Sequence, residues 1–403
     1  MHPDPATIRR YRDALAGLDL PAAFADVALV QANLTTALAY AGGTPLRLAT
    51  KSVRCPALIE LALDSPDVIG LMCAAPHEAA WWARRRPGTD LMVAYPSVEP
   101  AALADCAGLV AEGAVIRFMA DSPAHLRVLA EHGRQAGTVL EACIDLDMSV
   151  DLGGRRGIRF GVHRSPVRSP RDAVSLVEEA RSLGSVRIVA LMGYEAQLAG
   201  LQDRPLGGPP GRAALVRGLK RGTAGAVRRR RRQVVKALRG CGIDLAFVNG
   251  GGSGSVPSTA SEPTVTEVAV GSALLCPTLF DGYDEVAYQP AAGFALRVTR
   301  IPTDGVVTCY GGGWIASGAA GGDRLPRPWV PAGASLISTE GAGEVQTPIR
   351  LPDDVRLDIG DVVLLRHAKA GELCDRTDTL HLIHPDGTVQ AAPTYRGSGL
   401  VLS

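Results

Sequence analysis

The sequence predicts an α/β protein built as an N-terminal TIM (β/α)8 barrel followed by a C-terminal antiparallel β-domain. Two textures predict it: eight apolar runs alternating with amphipathic stretches up to about residue 288, then short alternating segments broken by Gly, Pro and Asp. Length agrees, because 403 residues allow two domains at ~100 to 200 residues each, or one barrel with an appendage.

The strand-like runs are LRLATK from Leu46, VIGLMCA from Val68, DLMVAY from Asp90, AVIRFMA from Ala114, VLEACIDL from Val139, RIVALMGY from Arg187, DLAFVNGG from Asp244 and EVAVGSALL from Glu267. Each is nearly continuous in apolar character, as a parallel sheet buried on both faces requires. Helical stretches lie between them and several open on proline, at Pro56, Pro76 and Pro123, where the missing N–H costs nothing. A closed barrel is the economical way to bury eight such strands.

After Tyr288 come FALRVTRIP, GVVTCYGGGW, VRLDIGDVVLLRH and TLHLIH, the pattern of antiparallel strands. The expected division is a barrel over residues 20–288 and a β-domain over 289–403, with residues 1–19 packing against the latter.

Composition narrows the function. Lys+Arg at 42 nearly cancels Asp+Glu at 41, which argues against a nucleic-acid or membrane-surface protein. No apolar run approaches the ~20 residues of a membrane-spanning helix, and the N-terminal stretch carries charge with no apolar core, so a cytoplasmic protein is expected. The eight cysteines are scattered singly, most in apolar runs, as buried free thiols are in a reducing compartment. The arginines Arg228 to Arg232 follow a PLGGPPG segment without interleaved aromatics; a solvated helix face is expected, not a nucleic-acid site.

Reactive groups of a barrel cluster at the C-terminal ends of its strands. The first strand delivers Lys51 there, followed by Ser52 and Arg54. Lysine is the side chain that forms Schiff bases with carbonyl cofactors, although a surface lysine at a loop start is the plainer reading of its position alone. The seventh strand ends in FVNGGGSGS, where Gly251 and Gly252 let backbone N–H groups close on an anion and Ser253 adds a hydroxyl donor. It lacks the Walker lysine and no Rossmann spacing follows the first strand, so a phosphate-bearing cofactor is favoured over a nucleotide; a plain glycine loop is the alternative. The sixth strand ends at Tyr194, a candidate acid, base or ring contact. The fifth leads into GIRFGVHRSP, which places Arg159 nearby with need of an anion or ring nitrogen. Jointly these residues read as a pyridoxal 5'-phosphate site on a barrel.

Here the sequence resembles the fold-type III pyridoxal-phosphate enzymes, and within them the D-threonine aldolase and D-serine dehydratase-like family in its bacterial amino-acid deaminase/aldolase branch. The resemblance covers most of the chain and rests on RLATKSVR around Lys51, RFGV at Arg159, MGYEAQ at Tyr194, VNGGGSGS from Val248, TEVAVGSALLCPTLFD from Thr266, GGGWIAS from Gly311 and RHAKAGELCD from Arg366. It implies an alanine-racemase-like barrel with a C-terminal β-domain and a homodimer. Lys51 would carry the cofactor, Arg159 would lie against its ring nitrogen, Tyr194 would contact cofactor or substrate, and Gly251, Gly252 and Ser253 would hold the phosphate.

Family members that cleave or dehydrate β-hydroxy amino acids also bind a divalent metal through a His-x-Cys or His-x-Asp pair in the β-domain. The matching string here is His367-Ala368-Lys369. Either Cys374 or Asp375 supplies a further ligand to zinc or manganese, or the Lys369 ammonium replaces the metal as a fixed charge, or these are ordinary β-domain residues. The expected function is a lyase that cleaves or dehydrates a D-configured or α-substituted β-hydroxy amino acid, with His367 and Lys369 as candidate catalytic groups beside Lys51. A racemase of the same fold is an alternative, needing a second base facing Lys51 across Cα, usually a tyrosine from a partner subunit, with Tyr283 and Tyr310 as candidates; a non-catalytic pyridoxal-phosphate carrier is another.

Overall fold

In the computed structural model, which describes residues 2–153, 157–205 and 210–400, the predicted barrel and second sheet are both present. β1 (Ala22–Asp26) belongs to the second sheet. The barrel runs through β2 (Leu46–Ala49), β3 (Val68–Cys73), β4 (Leu91–Val93), β5 (Ile116–Ala120) and β6 (Leu140–Asp145). A hairpin of β7 (Val150–Leu152) and β8 (Ile158–Phe160) then stands outside it, before β9 (Val186–Gly193), β10 (Phe247–Gly250) and β11 (Glu267–Val270) complete it. All eight barrel strands pair in parallel in chain order, and β11 returns to β2 with Val268 opposite Leu46. Every run expected as a barrel strand is one.

The helices between them start where the sequence punctuates them. Those at Pro56–Leu63, Pro76–Arg85 and Pro123–Gln135 open on proline, and the helix Pro170–Leu183 adds a capping box of Ser169 and Asp172, satisfying N–H groups that a helix start leaves unpaired.

Inside the barrel, Met72, Met92, Met119, Met192, Cys143 and Phe247 form an apolar layer. Towards the N-terminal strand ends lies a charged one that the sequence reading did not foresee. Arg47 is 1% exposed, bonds Glu267 at 2.7 and 2.9 Å and Asp90 at 2.8 Å, and its guanidinium lies 4.7 Å from the Phe247 ring centroid. A buried arginine is tolerated only when its donors are met in this way. This layer fills one end of the barrel, and the mouth at the other end holds the site.

The second sheet comprises β1 with β12 (Ala292–Thr303), β13 (Val306–Tyr310), β14 (Arg327–Val330), β15 (Ser335–Leu336), β16 (Gln346–Arg350), β17 (Val362–Arg366), β18 (Thr379–Ile383) and β19 (Val389–Pro393). The helix Pro5–Leu15 packs Tyr11 and Leu15 among Phe24, Trp329, Leu364 and Ile383. β1 lies beyond the expected boundary at residue 20, yet it is antiparallel to β12 and parallel to β18 within this sheet. All five of its residues are buried, because small side chains let neighbouring layers close on both faces.

The arginine run is only in part the solvated face expected of it: Arg228, Arg229 and Arg232 are exposed, whereas Arg230 and Arg231 turn inward. It lies in the helix Arg212–Gly240, where Arg231 is fully buried between Glu195 and Glu262 and Arg230 donates to the carbonyls of Asp147 and Ser149, at 2.6 Å each. Residues 206–209 of the preceding PLGGPPG segment lie outside the described residues. The cysteines are free thiols and seven of the eight are buried. Among the described residues no helix is long and apolar enough to cross a membrane.

Candidate active site

A cavity of about 520 Å³ opens at the C-terminal mouth of the barrel, within the size range of small-molecule sites. Of the expected residues, Lys51, Tyr194, Gly251, Gly252, Ser253 and Lys369 line it.

Lys51 sits in the 3-10 turn Thr50–Ser52 just past β2. Three contacts fix that turn: the Thr50 hydroxyl donates to the Met72 carbonyl at 3.0 Å, Arg54 Nε donates to the Lys51 carbonyl at 2.9 Å, and Arg54 pairs with Asp375 of the β-domain. Gly371, at φ +77, passes so close that a Cβ there would overlap the Lys51 carbonyl oxygen. The Lys51 amine bonds the hydroxyl of Tyr95 and lies 4.9 Å from its ring centroid. Burial raises the Tyr95 phenol, but the charges of Lys51 and Arg164 outweigh it and leave the group below its ordinary pKa.

Two strands round the barrel from β2, the glycine loop follows β10. Gly251 has φ +72, and its N–H donates to Glu195 at 3.1 Å. Glu195 is fully buried, pairs with Arg231 at 2.7 Å and accepts the Thr259 hydroxyl at 2.6 Å. Arg231 also donates to the Gly193 carbonyl at 2.9 Å and pairs with Glu262. The loop therefore rests on a buried charged network. Ser253 Oγ accepts N–H groups of Gly271 and Ala273 at 3.1 and 3.0 Å, so its own proton is left to donate to a ligand. At Gly252 a Cβ would stand 3.3 Å from Ala199 Cβ and 3.5 Å from the Tyr194 ring.

Three arginines line the cavity, Arg164, Arg212 and Arg324, and the expected Arg159 is not among them. Arg159, on β8, turns to Asp147 and to Ser149 Oγ at 2.8 Å and does not line the cavity. The β7–β8 hairpin folds it back onto the loop that follows β6. Arg164, five residues on, lines the cavity instead, with its guanidinium 5.6 Å from the Tyr95 ring centroid and 5.2 Å from that of Tyr194. Among the described residues it has no ion pair. Burial raises the Tyr194 phenol, with the Arg164 charge pulling the other way.

The suggested metal ligands do not assemble. His367 is 2% exposed, does not line the cavity, and has both ring nitrogens outside hydrogen-bond geometry, although the Ala292 backbone approaches it. Burial, with Arg366 beside it, lowers its imidazole to about 3. Cys374 is a buried thiol beside Cys55 and Arg54, raised by burial, and Asp375 is taken by Arg54. Among the described residues no group of three His, Cys, Asp or Glu side chains could hold a metal. One imidazole without companions falls short of the three or four protein ligands a zinc site needs, so His367 and Cys374 do not fit that role.

Asp145, at the end of β6, is 7% exposed, and burial pushes its carboxyl up to about 7 against the pull of Arg164. Its unfolded counterpart ionises near 3.8, so between these values the folded chain binds the extra proton and stability falls as pH rises. Asp145→Asn is expected to remove that fall, gaining ~2–4 kcal/mol at pH 8 and little at pH 4. Melting temperatures of the two proteins across this range check it; parallel curves would refute it.

A lysine amine held by a phenol, an unpaired guanidinium over two aromatic rings and a glycine–serine loop with a free hydroxyl proton suit a ligand carrying a carbonyl at one end and a phosphate at the other. A closed eight-stranded barrel with a separate, mostly antiparallel sheet is a fold this chain shares with solved D-threonine aldolase and alanine-racemase-like structures. In sequence the chain is related to a D-threonine aldolase from an Arthrobacter species, at 27% identity over 264 residues, 64% of this chain and 62% of that protein. The match thus spans about six-tenths of the relative's length. D-threonine aldolase from Filomicrobium marinum superposes with a TM-score of 0.78 at 19% identity, covering 95% of this chain and 96% of that one. D-threo-3-hydroxyaspartate dehydratase from Delftia sp. HT23 gives 0.74 at 21%, covering 94% and 98%. No family model matches the chain.

Proposed function

We propose that the protein is a pyridoxal-phosphate-dependent lyase acting on a D-configured or α-substituted β-hydroxy amino acid. The observation that carries this is the placing of Lys51 and the Gly251–Ser253 loop on one cavity, from strands at opposite ends of the barrel's sequence. When bound, the cofactor supplies an electron sink that weakens the bonds at the substrate's Cα.

The chain's own residues do the rest. The Lys51 amine would hold the cofactor's aldehyde and, when free, would serve as a base for the proton at the substrate's Cα. The Tyr95 hydroxyl holds that amine in place. Ser253 would donate to the phosphate, and the Arg231–Glu195 network holds the loop that would surround it. Arg164 offers its guanidinium to an anionic group of the ligand. The residues do not fit a metal, and no step is assigned to one. The relatives named above, an aldolase and a dehydratase, support the lyase class. Within this chain neither candidate tyrosine offers the second base of a racemase: the Tyr283 hydroxyl is spent on the Ala199 carbonyl at 2.9 Å with its phenol raised by burial, and the exposed Tyr310, outside this cavity, could act only on a partner's. A homodimer goes with the same reading, and light scattering on the purified protein checks it.

The test is a visible absorption spectrum of the protein with pyridoxal phosphate, before and after D-threonine, D-serine and α-methylserine, with aldehyde and keto-acid assays on the same samples. A shifted band with aldehyde means aldolase, and with keto acid and ammonia means dehydratase. No band would defeat the proposal.

The loop makes a sharper demand. A Cβ at Gly254 would overlap the Tyr283 ring and the Ala199 carbonyl, while one at Gly218, on the long helix, meets nothing within 4 Å. Gly254→Ala is expected to weaken cofactor binding ~10-fold or more, as overpacking of ~1–3 kcal/mol would. Gly218→Ala should leave it unchanged. Fluorescence titration with pyridoxal phosphate compares the two.

A further inference from the structure

To the same cavity as the glycine loop, the β-domain contributes a small polar assembly that the function above does not use. Lys369 Nζ donates to Ser317 Oγ at 2.9 Å and pairs with Glu372 Oε1 at 3.0 Å. Glu372 in turn accepts the Ser317 backbone N–H at 2.7 Å and the Ser317 hydroxyl. Both Ser317 and Lys369 line the cavity. An ammonium has three donors, and these contacts use two, so one N–H remains for a ligand.

The assembly is fixed relative to Lys51. Two residues beyond Lys369, Gly371 packs its backbone on the Lys51 carbonyl at a φ that favours glycine, and Asp375 holds Arg54, which itself bonds that carbonyl. A cation on a flexible stem is thereby held at a set distance from the attachment lysine. Glu372 fits the same picture: burial alone would raise its carboxyl, but the hydrogen bonds from Ser317 and Lys369 outweigh it and keep the acid below its ordinary pKa. The anion that anchors Lys369 therefore persists in mildly acidic solution.

We propose that Lys369, positioned by Glu372 and Ser317, is a catalytic residue that donates a hydrogen bond to the β-oxygen of the substrate. In dehydration the β-oxygen leaves with the C–O electron pair and takes up the proton that Lys51 removed from Cα, so that water departs; in retro-aldol cleavage Lys51 takes the hydroxyl proton, the alkoxide's charge moves into the new C=O, and the Cα–Cβ pair stays with Cα, which Lys51 then protonates. In each case the charge on the oxygen, on departure or as alkoxide, is stabilised by a fixed ammonium, the electrostatic contribution of a preorganised donor. Lys369 keeps its proton throughout. The proposal rests on the lyase reading above and adds to it the group that makes a β-oxygen matter.

The test uses the full chain loaded with pyridoxal phosphate and compares wild type with Lys369→Met, Lys369→Arg, Glu372→Gln and Ser317→Ala. Two readouts are taken: turnover of whichever β-hydroxy amino acid the wild type consumes, and the visible-spectrum titration with D-alanine, which has no β-oxygen. Lys369→Met is expected to lower kcat by ~10²- to 10³-fold with KM and the D-alanine titration each within about threefold, as follows if the lost contact forms chiefly in the transition state. Lys369→Arg should recover part of the loss, and Glu372→Gln and Ser317→Ala should fall between. Unchanged turnover in Lys369→Met would overturn the proposal while leaving the lyase reading intact, and so would a parallel loss of the D-alanine titration, the mark of a merely structural role. Wild-type activity abolished by EDTA and restored by zinc or manganese would overturn it too. A wild type that binds cofactor and D-alanine yet releases neither aldehyde nor keto acid from any β-hydroxy amino acid would remove the lyase reading, and the proposal with it.

Discussion

Replacing Lys51 by alanine is expected to abolish the visible band of the cofactor-loaded protein and to lower turnover by on the order of 10³-fold or more, since it removes both the attachment point and a positioned base. The fold should survive. Among the described residues Lys51 has no ion pair and its amine bonds Tyr95 alone; its turn is held by the Thr50 hydroxyl and by its own carbonyl, which alanine keeps. The check is therefore double: absorbance after incubation with pyridoxal phosphate, and a melting temperature within a few degrees of wild type. A retained band would remove Lys51 from its assigned place. Tyr95→Phe sharpens the result, because it frees the amine while leaving the ring; the band should remain.

Arg231→Met should act in the opposite manner, on the fold first and on the site through it. Arg231 is fully buried and is the cation shared by Glu195 and Glu262. Removing it strands two carboxylates out of water, a change that costs about 3–5 kcal/mol when a buried pair is broken. Glu195 also holds the Gly251 N–H and the Thr259 hydroxyl, so the loss should carry over to cofactor affinity, by ~10-fold or more if even ~1.4 kcal/mol of it reaches the loop. Urea unfolding and a pyridoxal-phosphate titration measure the two effects. A double variant, Arg231→Met with Glu262→Gln, should recover part of the stability. A single variant within 1 kcal/mol of wild type would show the network to be dispensable.

The elements legible in the sequence were those with local signals. Continuous apolar runs bounded by turns marked all eight barrel strands, and clustered glycines marked the loop at Gly251. Lys51 could be read because it follows its strand at once. What escaped notice depends on closure of the barrel. Tyr95 ends the strand DLMVAY in plain sight, but only pairing of β4 with β3, and β3 with β2, brings it to Lys51. Arg159 and Arg164 lie on one excursion after β6, and no periodicity says that a hairpin turns the first away and leaves the second at the mouth. A run of five arginines looks solvated until the helix is seated and one position of it faces two glutamates. His367 matched a motif in sequence, yet a motif does not carry its companions: Cys374 faces Cys55 and Arg54.

The position of β1 has a consequence for how the molecule is made. Ala22 is paired with Ala295, and Ala23 with Leu380, so a strand near the start of the chain waits for neighbours from near its end. At ~5–20 residues per second of synthesis, this strand spends roughly 15–60 s on the ribosome before its first partner exists. In that interval a buried strand of small apolar residues has two open edges, a template for pairing with another chain. By the end of that interval every strand of the barrel has been synthesised. The nascent protein therefore gains its barrel before it can close its second sheet, and the interval between the two is when it most needs a chaperone.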